Sequence, residues 1–384
     1  MRIVESRELT VHLIGGGTNA VVDFSHHTVS LVALISDVIR GGRPVTGVAF
    51  NSIGRFGQAG ILRERMFPRL HAAEPDSLLT EGQFDPAKIL AAVLANEKPG
   101  GHGDRASAAA SIELAAWDLR SKLSGRPAWD EIARYHGHQE PAQTVPVYAA
   151  GGYYYDRAQH SLTDELKSYA DQGYSAFKIK IGGASLSTDL GRIERALTVA
   201  GNGDNLAVDA NGRFDQSTAL QYAHALEPYG LRWFEEPGDP LDFELHRIIG
   251  ENYGKPLATG ENLFSSSDVR NLVRYGAPRS ADIFQMDAGL SYGLTEYREM
   301  LKVVQGHGVR NTQIHPHGGH LINLHIVGGL GLGGCEVYPG VFQPFGGYPH
   351  TCSVDDGTVR LPEQPGFCLE TKPELTEPIR QLLS

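Results

Sequence analysis

Three acidic residues, Asp209, Glu235 and Glu261, stand at the ends of short apolar runs, 26 and then 26 residues apart. That interval holds about one strand and one helix, so it commits this part of the chain to successive βα units whose strand ends converge. The surrounding pattern agrees. Strand candidates at 145–149, 176–181, 206–209, 232–235, 257–260, 283–286, 312–314 and 334–337 alternate with helical stretches. One such stretch is 163–172, with Leu166, Tyr169 and Ala170 on one side and Gly173 as its stop. Eight strands in about 200 residues is the count of a (β/α)8-type barrel.

The region before 145 reads differently. It is β-rich to about 60, with an apolar strand at 29–38 bounded by His26-His27 and Gly41-Gly42 and a hairpin partner at 45–50. Polar, glycine-rich loops are expected at 15–19 and 51–58. From about 60 to 137 the pattern is helical; Ile112, Ala116, Leu119 and Leu123 share a face, and Gly125 and Pro127 end the helix. At 384 residues the chain suits two domains. Its net charge of −11 offers no basic field to nucleic acid or to an anionic membrane, though a small anionic substrate can still meet a locally cationic site. The 3 cysteines form no C-x-x-C spacing. The opening residues lack the apolar core of a signal peptide, and no run approaches ~18 apolar residues, so a reduced, cytoplasmic protein is expected.

In such barrels the chemistry sits at the C-terminal ends of the strands. Those ends carry Lys178 and Lys180, then Asp209, Glu235, Glu261, Asp287, His317 and Glu336. Two lysines on one face of a strand are costly unless something offsets their charge. Asp209, Glu235 and Glu261 are hard oxygen donors of the kind Mg²⁺ takes. Each alone reads as a helix N-cap, but three at equal spacing favour a metal. His315 and His320 compete with His317 for the functional role, and Lys98 alone reads as a solvated residue of the turn 96–103. The glycine-rich run 329–334 precedes a strand rather than following one, which excludes a dinucleotide loop.

Lys178-Ile179-Lys180, Asp209-Ala210-Asn211-Gly212, Trp233-Phe234-Glu235-Glu236-Pro237, Gly260-Glu261-Asn262, Gln285-Met286-Asp287 and His317-Gly318-Gly319-His320 together resemble the enolase superfamily, in its mandelate racemase subgroup. The likeness runs nearly end to end and includes Ala116-Trp117-Asp118-Leu119. It implies an α+β capping domain over 1–140, a modified (β/α)7β barrel over 141–350, and a tail, 351–384, returning to the cap. It also implies Mg²⁺ on Asp209, Glu235 and Glu261, and Lys180 as a base whose pKa is lowered by Lys178 and by burial. His317 would face Lys180 with Asp287 orienting it, Glu336 would bond the substrate carboxylate, and Glu236 would point away as a structural residue. A homo-oligomer of unspecified size is expected.

The resemblance leaves the reaction open. A lysine and a His–Asp pair suit a racemase, using both as bases, or a dehydratase, in which Lys180 takes an α-proton and His317 expels a β-hydroxyl. A scaffold on a decayed barrel and a Lys180 Schiff-base aldolase are weaker readings. The polar loop segments around Asn51, Arg55, Lys98 and Tyr154 favour a hydroxylated dicarboxylate as substrate, with Lys98 or Arg55 holding its distal end; Asn211 and Glu336 are expected to contact it as well.

Overall fold

The computed structural model describes residues 1–137, 143–155 and 161–384. The chain opens with an antiparallel sheet in the order β1 (Ile3–His12), β2 (Thr28–Arg40), β3 (Arg43–Phe50). Gly41 and Gly42, both with positive φ, make the β2–β3 turn. Short helices α1 (Ala59–Ile61), α2 (Phe67–Ala72) and α3 (Pro86–Val93) follow, with a two-residue hairpin of β4 (Leu79–Thr80) and β5 (Gln83–Phe84) before α3. The long helix α4 (Asp104–Ser124) lies directly on β3; a Cβ at Gly47 would overlap the Ala115 carbonyl, so only glycine permits this approach. It ends at left-handed Gly125, and α5 (Ala128–Tyr135) completes this domain's helices.

A parallel barrel follows. Its strands are β6 (Thr144–Gly151), β7 (Phe177–Lys180), β8 (Leu206–Asp209), β9 (Phe234–Glu235), β10 (Leu257–Thr259) and β11 (Ile283–Phe284), each paired with the next. β12 (Cys335–Val337) pairs with β6 at the other side. The expected strand at 312–314 is instead a 3-10 turn, Asn311–Gln313. Parallel pairing starts one step later, where Ile314 bridges Phe284 and the amides of His315 and His317 donate to the carbonyls of Phe284 and Gln285. Pro316, with no N–H to give, keeps this segment from becoming a regular strand. Gly333 N donates to Ile314 O at 3.0 Å, closing the ring. The architecture is a TIM-type barrel of the (β/α)7β kind beside an N-terminal sheet domain. Its lower interior is filled by Tyr148 and Trp233, in edge contact at 5.1 Å, and by alanines from neighbouring strands.

The barrel helices are α6 (Leu162–Asp171), α7 (Leu186–Ala200), α8 (Gln216–Leu226), α9 (Phe243–Asn252), α10 (Ser266–Asn271), α11 (Leu294–Gln305) and α12 (Leu321–Leu330). Ser161, Ser185, Asp215, Asp242 and Ser265 cap the first five with their own side chains. α11 breaks the series. Gly293 stands at its cap, and the Leu294 and Thr295 amides donate instead to Glu113 of α4, at 2.9 and 3.0 Å.

The tail first forms a hairpin, β13 (Val354–Asp355) and β14 (Thr358–Arg360), whose second strand pairs antiparallel with the start of β6. It then returns to the N-terminal domain. Asp118 accepts from the Val48 amide at 2.8 Å and the Phe367 amide at 2.6 Å, and α13 (Thr376–Leu383) packs on β1 and β2, where Arg7 reaches the Leu382 carbonyl. The domain boundary expected at 140/141 lies outside the described residues. Among these, no helix is long and apolar enough to cross a membrane.

Candidate active site

A cavity of about 300 Å³ opens where the strand ends meet the N-terminal domain's loops. Lys180, Asn211, Glu236, Glu261 and His317 line it from the barrel side, and Asn19, Phe24 and Arg55 from the other domain. Lys180 comes from the second strand position of the ring and His317 from the seventh, so they reach it from different sides.

Beneath the cavity lies a buried charge network. Lys180 Nζ donates to Asp209 Oδ2 at 2.5 Å, and Lys178 Nζ contacts Glu235 Oε1 at 2.6 Å and Glu336 Oε1 at 2.7 Å. Neighbouring strands dictate these pairings, because Lys180 is in register with Asp209 and Asp209 with Glu235. Gln285 and the Trp233 indole fix the other Glu235 oxygen at 2.8 and 2.9 Å. Burial disfavours the charged lysines, but Glu235 and Glu336 outweigh it at Lys178, and Asp209 does so at Lys180, so both ammonium groups titrate above the ordinary lysine value. The lowering expected for Lys180 is therefore not found. Lys178 acts in that direction, but the adjacent Asp209 carboxylate is the stronger neighbour.

Among the described residues, no three of His, Cys, Asp and Glu form a closed ligand set, and the lysine ammonium groups engage Asp209 and Glu235. The donor chemistry nevertheless fits a divalent cation. Burial and the charges of Asp209, Glu336 and Glu261 push the Glu235 carboxyl up to about 8, and Glu236 is driven well above its ordinary value by burial, Glu261 and Asp209. Crowded hard oxygens of this kind are what a small divalent ion neutralises. Glu236 does not point away as expected. It sits past the end of β9 at φ 37, which breaks the strand's alternation and turns it into the cavity, where the Asn262 amide nitrogen donates to both its oxygens at 3.0 Å.

The second cluster surrounds His317. Its Nδ1 lies 3.2 Å from Asp287 Oδ2, and its Nε2 lies 3.1 Å from the Tyr338 hydroxyl and 3.6 Å from Glu261. Burial alone would lower the imidazole's pKa, but Glu261, Asp287 and Glu336 raise it to about 9. Of the competing histidines, His315 and His320 are pulled down to about 4, chiefly by burial. Asp287 also accepts from the Gly289 amide at 2.7 Å and from Ser52 Oγ at 2.5 Å. Glu336 accepts from the Gly318 amide at 3.0 Å as well as pairing with Lys178.

Arg55 lines the cavity; it donates to Asn262 Oδ1 at 2.5 Å and lies over the Phe264 ring. Asn211, at φ 49, keeps its side-chain oxygen unpartnered beside Asp209. Four expected substrate contacts do not line the cavity, and Glu336 is one of them: it is fully buried beneath it, held by Lys178 and the Gly318 amide. Lys98 is exposed in a loop that Arg105 pins by the Lys98 and Gly100 carbonyls. Asn51 is buried and spent on the backbone of Ser30 and Phe56. Tyr154 donates to Asp189 at 2.6 Å, and its neighbour Tyr153 lines the cavity, with Lys180 over its ring at 5.2 Å. Tyr338 and Ser52 were missed. Tyr338 was findable, because it stands two residues beyond Glu336, whereas Ser52 lies in the expected 51–58 loop beside Asn51 with no spacing that sets it apart from its neighbours.

Lysines and carboxylates at the barrel's C-terminal rim, with a buried His–Asp pair, form a site of the kind barrel enzymes use to take up and deliver protons. Residues 161–375 match the enolase C-terminal domain-like family, and the chain belongs to it. Among curated relatives, the L-talarate/galactarate dehydratase of Salmonella typhimurium is 29% identical over 298 residues, 77% of this chain and 70% of that one. The 3,6-anhydro-alpha-L-galactonate cycloisomerase of Streptomyces coelicolor is 29% identical over 273 residues, covering 70% of each. Among solved structures, L-talarate dehydratase from Polaromonas sp. JS666, complexed with Mg and L-glucarate, aligns with a TM-score of 0.74 at 22% identity over 94% of this chain and 92% of its own. A racemase from Streptomyces coelicolor A3(2) with bound magnesium aligns at 0.77 and 22%, over 98% of each.

Proposed function

We propose that this protein is a Mg²⁺-dependent dehydratase of a hydroxylated dicarboxylate, with D-tartrate, converted to oxaloacetate and water, as its substrate. One observation carries the reading: Lys180 and the His317–Asp287 pair reach a single small cavity from different strands, and Arg55 lines the same cavity. The acid-sugar dehydratases among the relatives support the reaction class.

Asp209, Glu235 and Glu261 would hold the Mg²⁺. When bound, it supplies the positive charge that steadies the substrate carboxylate as the α-carbon loses its proton. The Lys180 ammonium first parts from Asp209 and gives its proton to solvent water; the neutral amine then takes the α-proton. His317, held charged by its acidic neighbours, gives the Nε2 proton to the β-hydroxyl, which leaves as water. The C–H electron pair becomes the new C=C bond, and the resulting enol tautomerises to the keto acid. Lys178 and Glu336 brace the lysine side of the site, and Asn211 presents an acceptor to a substrate hydroxyl. Arg55, which lines the cavity, pairs with the distal carboxylate, and Lys98, exposed and outside that lining, does not.

The test is keto-acid formation from D-tartrate by purified protein with Mg²⁺, then from a panel of hydroxy diacids and acid sugars. No keto acid from any of them rejects the dehydratase reading. The same two groups also suit racemisation, and D₂O separates the outcomes: α-deuterium uptake with inversion and no loss of water marks a racemase.

A further inference from the structure

We infer that Ser52, contributed by the N-terminal domain, is a positioning residue that fixes Asp287 and through it the proton-delivering face of His317. Ser52 follows β3 and is fully buried. Its hydroxyl lies 2.5 Å from Asp287 Oδ2 and 3.0 Å from His320 Nε2. The direction of these bonds follows from what His320 does with its other nitrogen. Nδ1 accepts from the Asn323 amide at the cap of α12, so in a neutral ring the proton sits on Nε2 and points at Ser52. Ser52 Oγ therefore accepts from His320 and has one proton to give, with Asp287 Oδ2 as its acceptor.

The same Asp287 oxygen accepts from His317 Nδ1, which leaves His317 Nε2 facing the cavity beside Tyr338. The other Asp287 oxygen accepts from the Gly289 amide, so the carboxylate is held at both ends. The space around Ser52 is closed. A Cβ on Gly289 would come within 2.8 Å of Ser52 Cβ, and one on Gly318 within 2.7 Å of Ser52 Oγ and 2.8 Å of Asp287 Oδ2. The Ser52 amide also donates to the Gly289 carbonyl at 3.3 Å, which locks the loop to the turn after Asp287. A serine with its donor direction set, its acceptor fixed and no room to rotate supplies orientation rather than bulk. The histidine's geometry thus depends on the docking of the other domain.

The first test needs no substrate. The downfield ¹H NMR signal of His317 Nδ1–H, assigned by its loss in His317→Asn, is compared between wild type and Ser52→Ala. Loss of the competing donor makes Asp287 a stronger acceptor, so the signal moves further downfield; an unchanged signal overturns the inference. The second test rests on the dehydratase reading and uses D-tartrate in D₂O. Ser52→Ala is expected to lose elimination by roughly ten- to a hundredfold, while α-proton exchange, the work of Lys180, stays near wild type. Adding Ser52→Ala to Asp287→Asn then costs nothing more. An equal loss of exchange and elimination, or a full further loss in the Asp287→Asn background, assigns Ser52 a merely structural role and overturns the inference. A wild type that makes no keto acid fails the dehydratase reading alone, and the NMR comparison still decides the part played by Ser52.

Discussion

Glu113 and Thr295 are joined twice across the domain boundary: one carboxylate oxygen accepts from the Thr295 amide at 3.0 Å and from its hydroxyl at 2.6 Å. With the Leu294 amide and the Trp117 indole also donating, this one side chain caps α11 from outside. Glu113→Ala strands those donors in a buried place, with an expected cost of about 3 kcal/mol. Glu113→Gln, which keeps an acceptor, costs less. Thermal and urea unfolding of the two variants beside wild type measures the difference.

The same residue gives stability a pH dependence. Burial outweighs its donors and raises the Glu113 carboxyl from 4.5 to about 7. Between those values the folded state binds the proton that the unfolded state releases, so this contribution is fully present below about 4.5 and lost as pH rises through about 7. The size of the effect is about 3 kcal/mol. Melting temperatures from pH 5 to 8 should therefore fall more steeply for wild type than for Glu113→Gln; parallel curves would count against it.

Lys180 competes for Asp209 with any cation that the carboxylates hold. Lys180→Ala is expected to abolish both turnover and α-proton exchange. It should leave Mg²⁺ binding intact or tighter, because the ammonium at 2.5 Å is gone. Calorimetric titration with Mg²⁺ and a D₂O exchange assay check the two halves, and appreciable residual turnover would remove Lys180 from the role of base.

Arg55 and Lys98 separate cleanly. Arg55→Ala should raise KM for a dicarboxylate about tenfold or more, the scale of a lost charged hydrogen bond. Lys98→Ala should leave kcat and KM near wild type. Steady-state kinetics on the two variants decides which cation meets the substrate.

The barrel was legible because its strands are short apolar runs ending in chemistry; the 206–209 strand agrees with its expected bounds to the residue. What the sequence hid are the places where backbone geometry departs from alternation. Gly152, at φ 61, turns the chain after β6, so Tyr153 faces the cavity and Tyr154 faces Asp189. Glu236, at φ 37, stays at the cavity beside Glu235 for the same kind of reason. Lys98 and Asn51 were misjudged because a loop's side chains take their direction from distant partners. Arg105 pins the turn of Lys98, and the Ser30 backbone claims Asn51. Ser52 belongs to this group too, since its acceptor lies 235 positions away.

The return of the tail sets the order of synthesis against the order of assembly. Arg7 and Leu382 meet across 375 positions, and Asp118 joins an amide of β3 to one at Phe367. On the ribosome, β1 and β2 emerge with the side that α13 covers still bare, and they remain so while the whole barrel is made between them. Contacts of this range close late and leave apolar strand surface unprotected in the interval. Growth temperature and chaperone supply are thus expected to govern the yield of this protein more than its folded stability does.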